Sequence, residues 1–130
     1  MGNMRFAAIP HYNSFSANDR ARIIETVNEN LANPVYGVHD GQPTADRIFL
    51  LSVEEVFQYF WADDDVFFGG VRERIKAVTI DGKPSRWWLR SGGSSSIYIA
   101  TIHPNGDLDL SGLSPNNDET GVRPALWLNL

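Results

Sequence analysis

A chain of 130 residues without a cysteine is long enough for one hydrophobic core, and it excludes disulfides, thiolate catalysis and Cys-ligated zinc. A net charge of −5 leaves no basic stripe to neutralise phosphates, which argues against nucleic acid or an anionic membrane as partner. With 12% aromatic residues and no apolar run of membrane-spanning length, the composition is that of a folded domain that does not insert into a bilayer.

Met1-Gly2-Asn3-Met4-Arg5 lacks the long apolar region of a signal peptide, and the compartment stays open. Arg5 to Ile9 reads as a short strand ended by Pro10, and His11 to Ser14 as a turn. Ser16 is an N-cap, with Asp19 at capping-box spacing. From Ala17 to about Leu31, Ile23, Ile24, Val27 and Leu31 fall on one helical face, and Asn33-Pro34 ends that helix. Val35 to Ala45, with Gly37, Gly41 and Pro43, reads as a loop. Asp46 to Ser52 holds the apolar run Ile48-Phe49-Leu50-Leu51 and predicts a strand buried on both faces. Ser52 and Glu55 form a capping box, with Leu51 and Val56 placed for a hydrophobic staple. Val53, Val56, Phe57 and Phe60 then give a short amphipathic helix through Tyr59 or Phe60.

Asp63, Asp64 and Asp65 read as a solvated turn, and Val71 to Thr79 as strand or helix before a turn at Asp81-Gly82. Ser85 to Ser91, with paired tryptophans, predicts a strand, and Ser96 to His103 another. Asn105-Gly106 signals a hairpin, and Leu108 and Leu110 alternate with Asp107 and Asp109 on its return arm. Val122 to Leu128 is the last expected strand, with Pro124 requiring an edge or a bulge. The sum is a single α+β domain over residues 1–130, two helices packed on a mostly antiparallel twisted sheet with long loops.

Two apolar segments, Arg86 to Ser91 and Gly121 to Leu130, bracket a polar stretch from Gly92 to Thr120 that has little to bury. A frame around such a stretch suggests a binding surface. Trp87, Trp88 and Trp127 are expected in the buried frame, since each is flanked by Leu at strand spacing, although exposed tryptophans could stack a sugar or peptide. Arg90 and Arg123 are expected to fix that frame by pairing with buried carboxylates or loop carbonyls. The expected ligand contacts are Tyr98, Thr101, His103, Asp107, Asp109 and Ser111, with Asn116 and Asn117 on the adjoining loop. Tyr brings contact area at low entropic cost, while Ser, Thr, Asn and Asp bring adaptable hydrogen bonds.

No catalytic centre emerges. His11, His39 and His103 are scattered without ligand spacing, so no metal is expected. Asn105, Asp107, Asp109 and Ser111 alternate as in a calcium loop, but Leu110 stands where an EF-hand needs glycine, and a strand sets these oxygens in a row. A hydrolase built on Asp107 and Asp109 is the enzymatic alternative, against the tendency of acidic pairs to face solvent.

Three strings, Asp46-Arg47-Ile48-Phe49-Leu50-Leu51-Ser52, Trp87-Trp88-Leu89-Arg90-Ser91 and Gly121-Val122-Arg123-Pro124-Ala125-Leu126-Trp127-Leu128, together resemble a bacterial and phage domain of unknown function marked by the same strings. Phe15-Ser16-Ala17 with Arg22-Ile23-Ile24 is similar to its first helix, so the likeness covers roughly Phe15 to Leu130. That domain is similar to C-type-lectin-like folds of the formylglycine-generating-enzyme type. Some of its members resemble the variable proteins of diversity-generating retroelements, whose hypermutated C-terminal segment changes ligand specificity on a fixed frame. Relative to that pattern only Met1 to Ser14 precedes the first helix, so the first strand is expected to be missing, shortened or supplied by a partner chain, and Gly92 replaces the usual proline. The resemblance also implies copper-binding cysteines for oxidase chemistry, and the chain has none. Adenine mutagenesis of Asn codons ending in C yields every residue except Lys, Gln, Glu, Met and Trp, and none of these five occurs from Ser91 through Asp118. Hairpin turns, which favour Gly, Ser, Asn, Asp and Pro, account for the same absence.

The expected function is therefore a non-enzymatic, cofactor-free ligand-binding domain, displayed on a bacterial or phage surface and facing a protein or glycan ligand. An oligomeric structural or interaction domain, its missing N-terminal strands supplied by another chain, is the alternative.

Overall fold

The computed structural model describes residues 15–37, 41–60, 75–79 and 81–129. The strand expected at Arg5 to Ile9, the turn at His11 to Ser14, His39 and the acidic run Asp63 to Asp65 lie outside them.

Ser16 opens α1 (Ala17–Arg22): its Oγ accepts the Asp19 amide at 3.1 Å and donates to the Asp19 carboxylate at 2.8 Å. The helix does not run on to Leu31. Ile23 turns to φ −73°, ψ 121° and pairs with Leu128. The Ile24 amide donates to the Trp127 carbonyl at 2.9 Å, and the Asn129 amide to the Arg22 carbonyl at 2.8 Å. Pairing with the C-terminal segment thus replaces the next helical turn. Of the expected apolar face only Ile23 is buried, while Ile24, Val27 and Leu31 are exposed.

Beyond it, β1 (Thr26–Asn28) and β2 (Thr44–Asp46) form an antiparallel ribbon, Thr26 opposite Asp46 and Asn28 opposite Thr44. The stretch read as a loop up to Ala45 therefore ends in a strand. After Asp46 the expected strand is reduced to a single pairing. Phe49 and Ala125 exchange amide bonds of 3.0 and 2.8 Å, while Phe49 and Leu50 are buried as expected.

The capping box ahead of α2 (Val53–Phe60) is present in both directions. The Glu55 amide donates to Ser52 Oγ and the Ser52 amide to Glu55 Oε1, each at 3.1 Å. Ser91 Oγ, from the sheet, accepts the Val53 amide at 2.9 Å, so amides that the helix leaves free are satisfied at its start. Next, β3 (Ala77–Val78) and β4 (Pro84–Ser85) form a short hairpin around the Asp81-Gly82 turn.

The main sheet is antiparallel, in the order β5 (Trp87–Gly92), β6 (Ile99–Ile102), β7 (Leu108–Leu113). Pro104 to Gly106 link β6 to β7. The His103 amide donates to the Asp107 carbonyl at 2.7 Å and the Gly106 amide to the His103 carbonyl at 2.9 Å, with Gly106 at φ 91°, where a side chain would be strained. Trp87 and Leu89 of β5 and Ala100 and Ile102 of β6 meet Val53, Val56 and Ile75 in one core, with Leu51, Phe60, Leu108 and Leu110 at its margin. Each large apolar side chain fully buried there contributes about 1.5–3 kcal/mol. The stretch from Gly92 to Thr120 consequently buries more than its composition suggests, because Ala100, Thr101 and Ile102 of the central strand are fully enclosed.

The C-terminal segment is extended without being a strand. It pairs at isolated points, Gly121 with Trp87, Ala125 with Phe49 and Leu128 with Ile23. Pro124 falls between two of these points and interrupts no ladder. The architecture is α+β, and no helix among the described residues is long and apolar enough to cross a membrane.

Candidate ligand-binding site

Arg90 ties the elements around the site together. Its backbone amide donates to the Leu51 carbonyl at 2.7 Å. The guanidinium donates to the Leu50 carbonyl at 2.6 Å, the Glu29 carbonyl at 3.0 Å and Asn30 Oδ1 at 3.2 Å. It also pairs with Glu55 Oε1 at 2.6 Å, the same oxygen that holds the Ser52 amide, and lies 5.9 Å from the Phe49 ring centroid. With both carbonyl and carboxylate partners, one side chain fixes β5 to the start of α2 and to the end of β1.

Arg123 acts similarly at the other end, donating to the Ile75 carbonyl at 3.1 Å with its guanidinium 5.1 Å from Trp87 and 5.2 Å from Phe60. Burial pushes its pKa below the usual guanidinium value. Trp87 and Trp88 are enclosed, and Trp87 Nε1 donates to the Ile75 carbonyl at 3.1 Å. Trp127 differs from expectation: it is 46% exposed, with the Tyr59 ring edge-to-face at 5.7 Å. Its neighbours pair through their backbone with Ile23 and Phe49, which holds the chain in place without covering the indole.

The expected contact residues separate into two sets. Thr101 is fully buried, opposite Trp88 on one side and Asp109 on the other, and its hydroxyl accepts from Arg86 Nη1 at 2.9 Å. It belongs to the sheet interior and presents nothing to solvent. Asp109 is held as tightly. Its Oδ1 accepts Ser111 Oγ at 2.6 Å and the Gly112 amide at 3.1 Å, and its Oδ2 accepts Arg86 Nη1 at 2.9 Å, with His103 Nε2 at 3.8 Å. Burial pushes the Asp109 carboxyl up, but Ser111, Gly112, His103 and Arg86 outweigh it and hold the pKa below the ordinary value of 3.8. An Arg-braced carboxylate on a strand is a poor general acid and a poor calcium ligand, so Asp109 is part of the frame.

Tyr98, Ser111 and Asn116 are exposed, and His103, Asp107 and Asn117 are half-buried at the surface. Asn105, Asp107, Ser114 and Asn117 shape their own turns: Asn105 Oδ1 accepts the Asp107 amide at 2.9 Å, and Asn117 Oδ1 accepts the Glu119 amide at 3.1 Å.

Beside these residues lies an open cleft of about 430 Å3 between the β1–β2 ribbon and the start of β6. Asn30, Thr44 and Asp46 line one part, Phe49 and Arg90 another, and Ser96 and Tyr98 a third. Tyr98 is held at its backbone on both sides, its carbonyl accepting the Gly93 amide at 2.8 Å and its amide donating to the Ser95 carbonyl at 3.1 Å. Gly93 must lack a side chain, because a Cβ there would overlap the Ser111 carbonyl oxygen and lie 3.0 Å from Tyr98 Cβ. A six-residue loop, closed by backbone hydrogen bonds and a tightly packed glycine, therefore presents Tyr98 at 38% exposure.

Sequence reasoning missed the cleft's other wall and its anchor. Thr44 and Asp46 lay in a stretch read partly as loop and partly as buried strand, and Asn33 served only to end a helix. Asn33 is 2% exposed, and its Nδ2 donates to the Gly92 carbonyl at 2.9 Å and the Leu110 carbonyl at 3.0 Å. Its Oδ1 accepts the Val35 and Tyr36 amides at 2.9 and 3.0 Å. Asn-Pro was the available signal, since a buried Asn before proline often shapes a turn. Arg86 was likewise unassigned, although its position two residues before Trp88 places it on the same face of the sheet.

One family, described as domain of unknown function (DUF6273), matches residues 5–130, and the chain belongs to it. No curated protein and no solved structure matches.

Proposed function

We propose that this DUF6273 chain is a non-enzymatic ligand-binding domain in which a C-type-lectin-like frame presents a recognition surface. The observation that carries the reading is the cleft of about 430 Å3 beside Tyr98, within the usual size range of ligand sites. Its walls come from elements that Arg90 and Asn33 join by hydrogen bonds, while its exposed lining residues are a tyrosine and small polar side chains. Such a division suits a surface whose specificity can change without loss of the fold. Diversification by a retroelement would then be confined to exposed positions between Ser91 and Asp118, such as Ser96, Tyr98, Ser111 and Asn116, and would spare Ala100, Thr101 and Ile102. A reverse transcriptase gene beside a near-copy of this coding region would support that part, and its absence from the genomic neighbourhood would remove it.

Labelled protein applied to arrays of glycans and peptides and to intact bacterial cells tests the reading. A retained partner that is lost on Tyr98→Ser with Asp107→Ala, at unchanged melting temperature, is the expected result. Retention of nothing, or of partners equally well by the double variant, would count against it.

A second reading, an oligomeric interaction domain, draws on Tyr59, Trp127 and Leu128, which are exposed beside one small apolar groove of about 140 Å3. Light scattering across concentrations decides it: a strict monomer refutes this second reading.

A further inference from the structure

The chemistry of the cleft narrows what it can hold. Arg90, the cation in its lining, is already satisfied by Glu55, two carbonyls and Asn30. It has little charge left to offer an anionic ligand. Asp46 is different. Its Oδ2 accepts Thr44 Oγ1 at 2.6 Å and Asn28 Nδ2 at 3.3 Å, while its Oδ1 accepts no hydrogen bond from any described residue. Thr44 and Asn28 thus brace a lining carboxylate through one oxygen and leave the other without a donor among the described residues. The remaining polar lining, Asn30, Thr44 and Ser96, is uncharged and both donates and accepts. Against these stands the exposed Tyr98, carried on a loop held through its backbone, whose ring offers a flat apolar face with a polar tip.

A braced carboxylate, uncharged hydroxyl and amide groups, an exposed tyrosine ring beside apolar Ile48, Phe49 and Ile99, and no spare cation together suit a ligand that pairs neutral hydroxyls with an apolar ring face. We infer that the cleft between the β1–β2 ribbon and Tyr98 receives a neutral saccharide unit, with Asp46 accepting from ligand hydroxyls and Tyr98 stacking on a pyranose face. This inference rests on the ligand-binding reading above and names its ligand class. An anionic sugar would meet Asp46 without a compensating charge. An ammonium ligand would satisfy Asp46 but leave the hydroxyl and amide lining without matched partners.

Isothermal titration calorimetry of the full chain with maltotriose, xylotriose and chitotriose, and with sialyllactose and spermidine for comparison, tests it. At least one neutral trisaccharide binds, and Asp46→Asn and Tyr98→Ser each weaken that binding about tenfold or more. Lys83→Ala, on the β3–β4 turn, leaves it unchanged. Thermal melting of each variant separates loss of contact from loss of fold, and Tyr98→Ser removes no hydrogen bond of the ribbon should Asp46→Asn disturb it. Neutral trisaccharide binding that both variants leave intact overturns the assignment of this cleft. Binding of sialyllactose or spermidine alone, or of none of the five probes, overturns the saccharide class. In either case the broader ligand-binding reading is judged separately, by whether the arrays retain any other partner.

Discussion

Replacing Asn33 by alanine removes a side chain that makes four hydrogen bonds from a site that is 2% exposed. The Val35 and Tyr36 amides lie in an exposed turn and can turn to water. The Gly92 and Leu110 carbonyls lose their donor inside the structure, and each such loss costs about 1–3 kcal/mol. Asn33→Ala should therefore destabilise the chain by about 2–6 kcal/mol, a large part of the 5–15 kcal/mol typical of a folded domain. Asn33→Asp is the sharper variant. It keeps the acceptor for Val35 and Tyr36 but sets an oxygen against both carbonyls. The introduced carboxyl should have a folded-state pKa raised above its unfolded value. Its protonated form donates one bond, so relative stability is greatest below the unfolded pKa and is lost as pH rises through the folded one. Urea denaturation of wild type, Asn33→Ala and Asn33→Asp at pH 4 and pH 7 reads both effects. Asn33→Asp should be closer to wild type at pH 4 than at pH 7. A midpoint for Asn33→Ala within error of wild type, or an Asn33→Asp deficit independent of pH, would refute the reasoning.

Arg90→Lys should destabilise by several kcal/mol despite keeping the charge, because an ammonium cannot reach Leu50, Glu29, Asn30 and Glu55 at once; near-wild-type urea midpoints would contradict this. Asp109 has a folded pKa below its ordinary value, so it contributes stability above the unfolded pKa that is lost as pH falls through the folded one. Asp109→Asn should accordingly lower stability at pH 7 and flatten its decline below about pH 4, measured by urea denaturation across pH. Gly93→Ala should shift the Tyr98 loop, lowering the melting temperature and changing the environment of the Tyr98 ring as seen by NMR; an unperturbed Tyr98 resonance would count against the tight packing at Ser111.

Local signals were the legible part of the sequence. The Ser52–Glu55 capping box, the Asn105-Gly106 hairpin and the Trp87-Trp88 strand depend on neighbours a few residues away, and each is present. Arg90 as a frame residue was legible because an arginine inside an apolar strand needs partners. What failed depended on distant pairing. The helix past Arg22 was lost to the C-terminal segment, whose amides and carbonyls reach Ile24 and Arg22 from more than a hundred residues away in sequence. Thr101 and Asp109 look alike in composition to Ser111 and Asn116, but the sheet register places Thr101 between Trp88 and Asp109 and both within reach of Arg86. Trp127 was read as core from its leucine neighbours, and only the isolated pairings of that segment reveal that its indole faces outward.

The claim that stability and recognition reside in separate residues is tested most directly by a saturation library covering Trp87, Leu89, Arg90, Thr44, Ser96 and Tyr98, displayed and sorted for protease resistance. The account predicts that Ser96, Tyr98 and Thr44 accept most substitutions while Trp87, Leu89 and Arg90 accept almost none. Equal intolerance at Tyr98 and at Leu89 would contradict it.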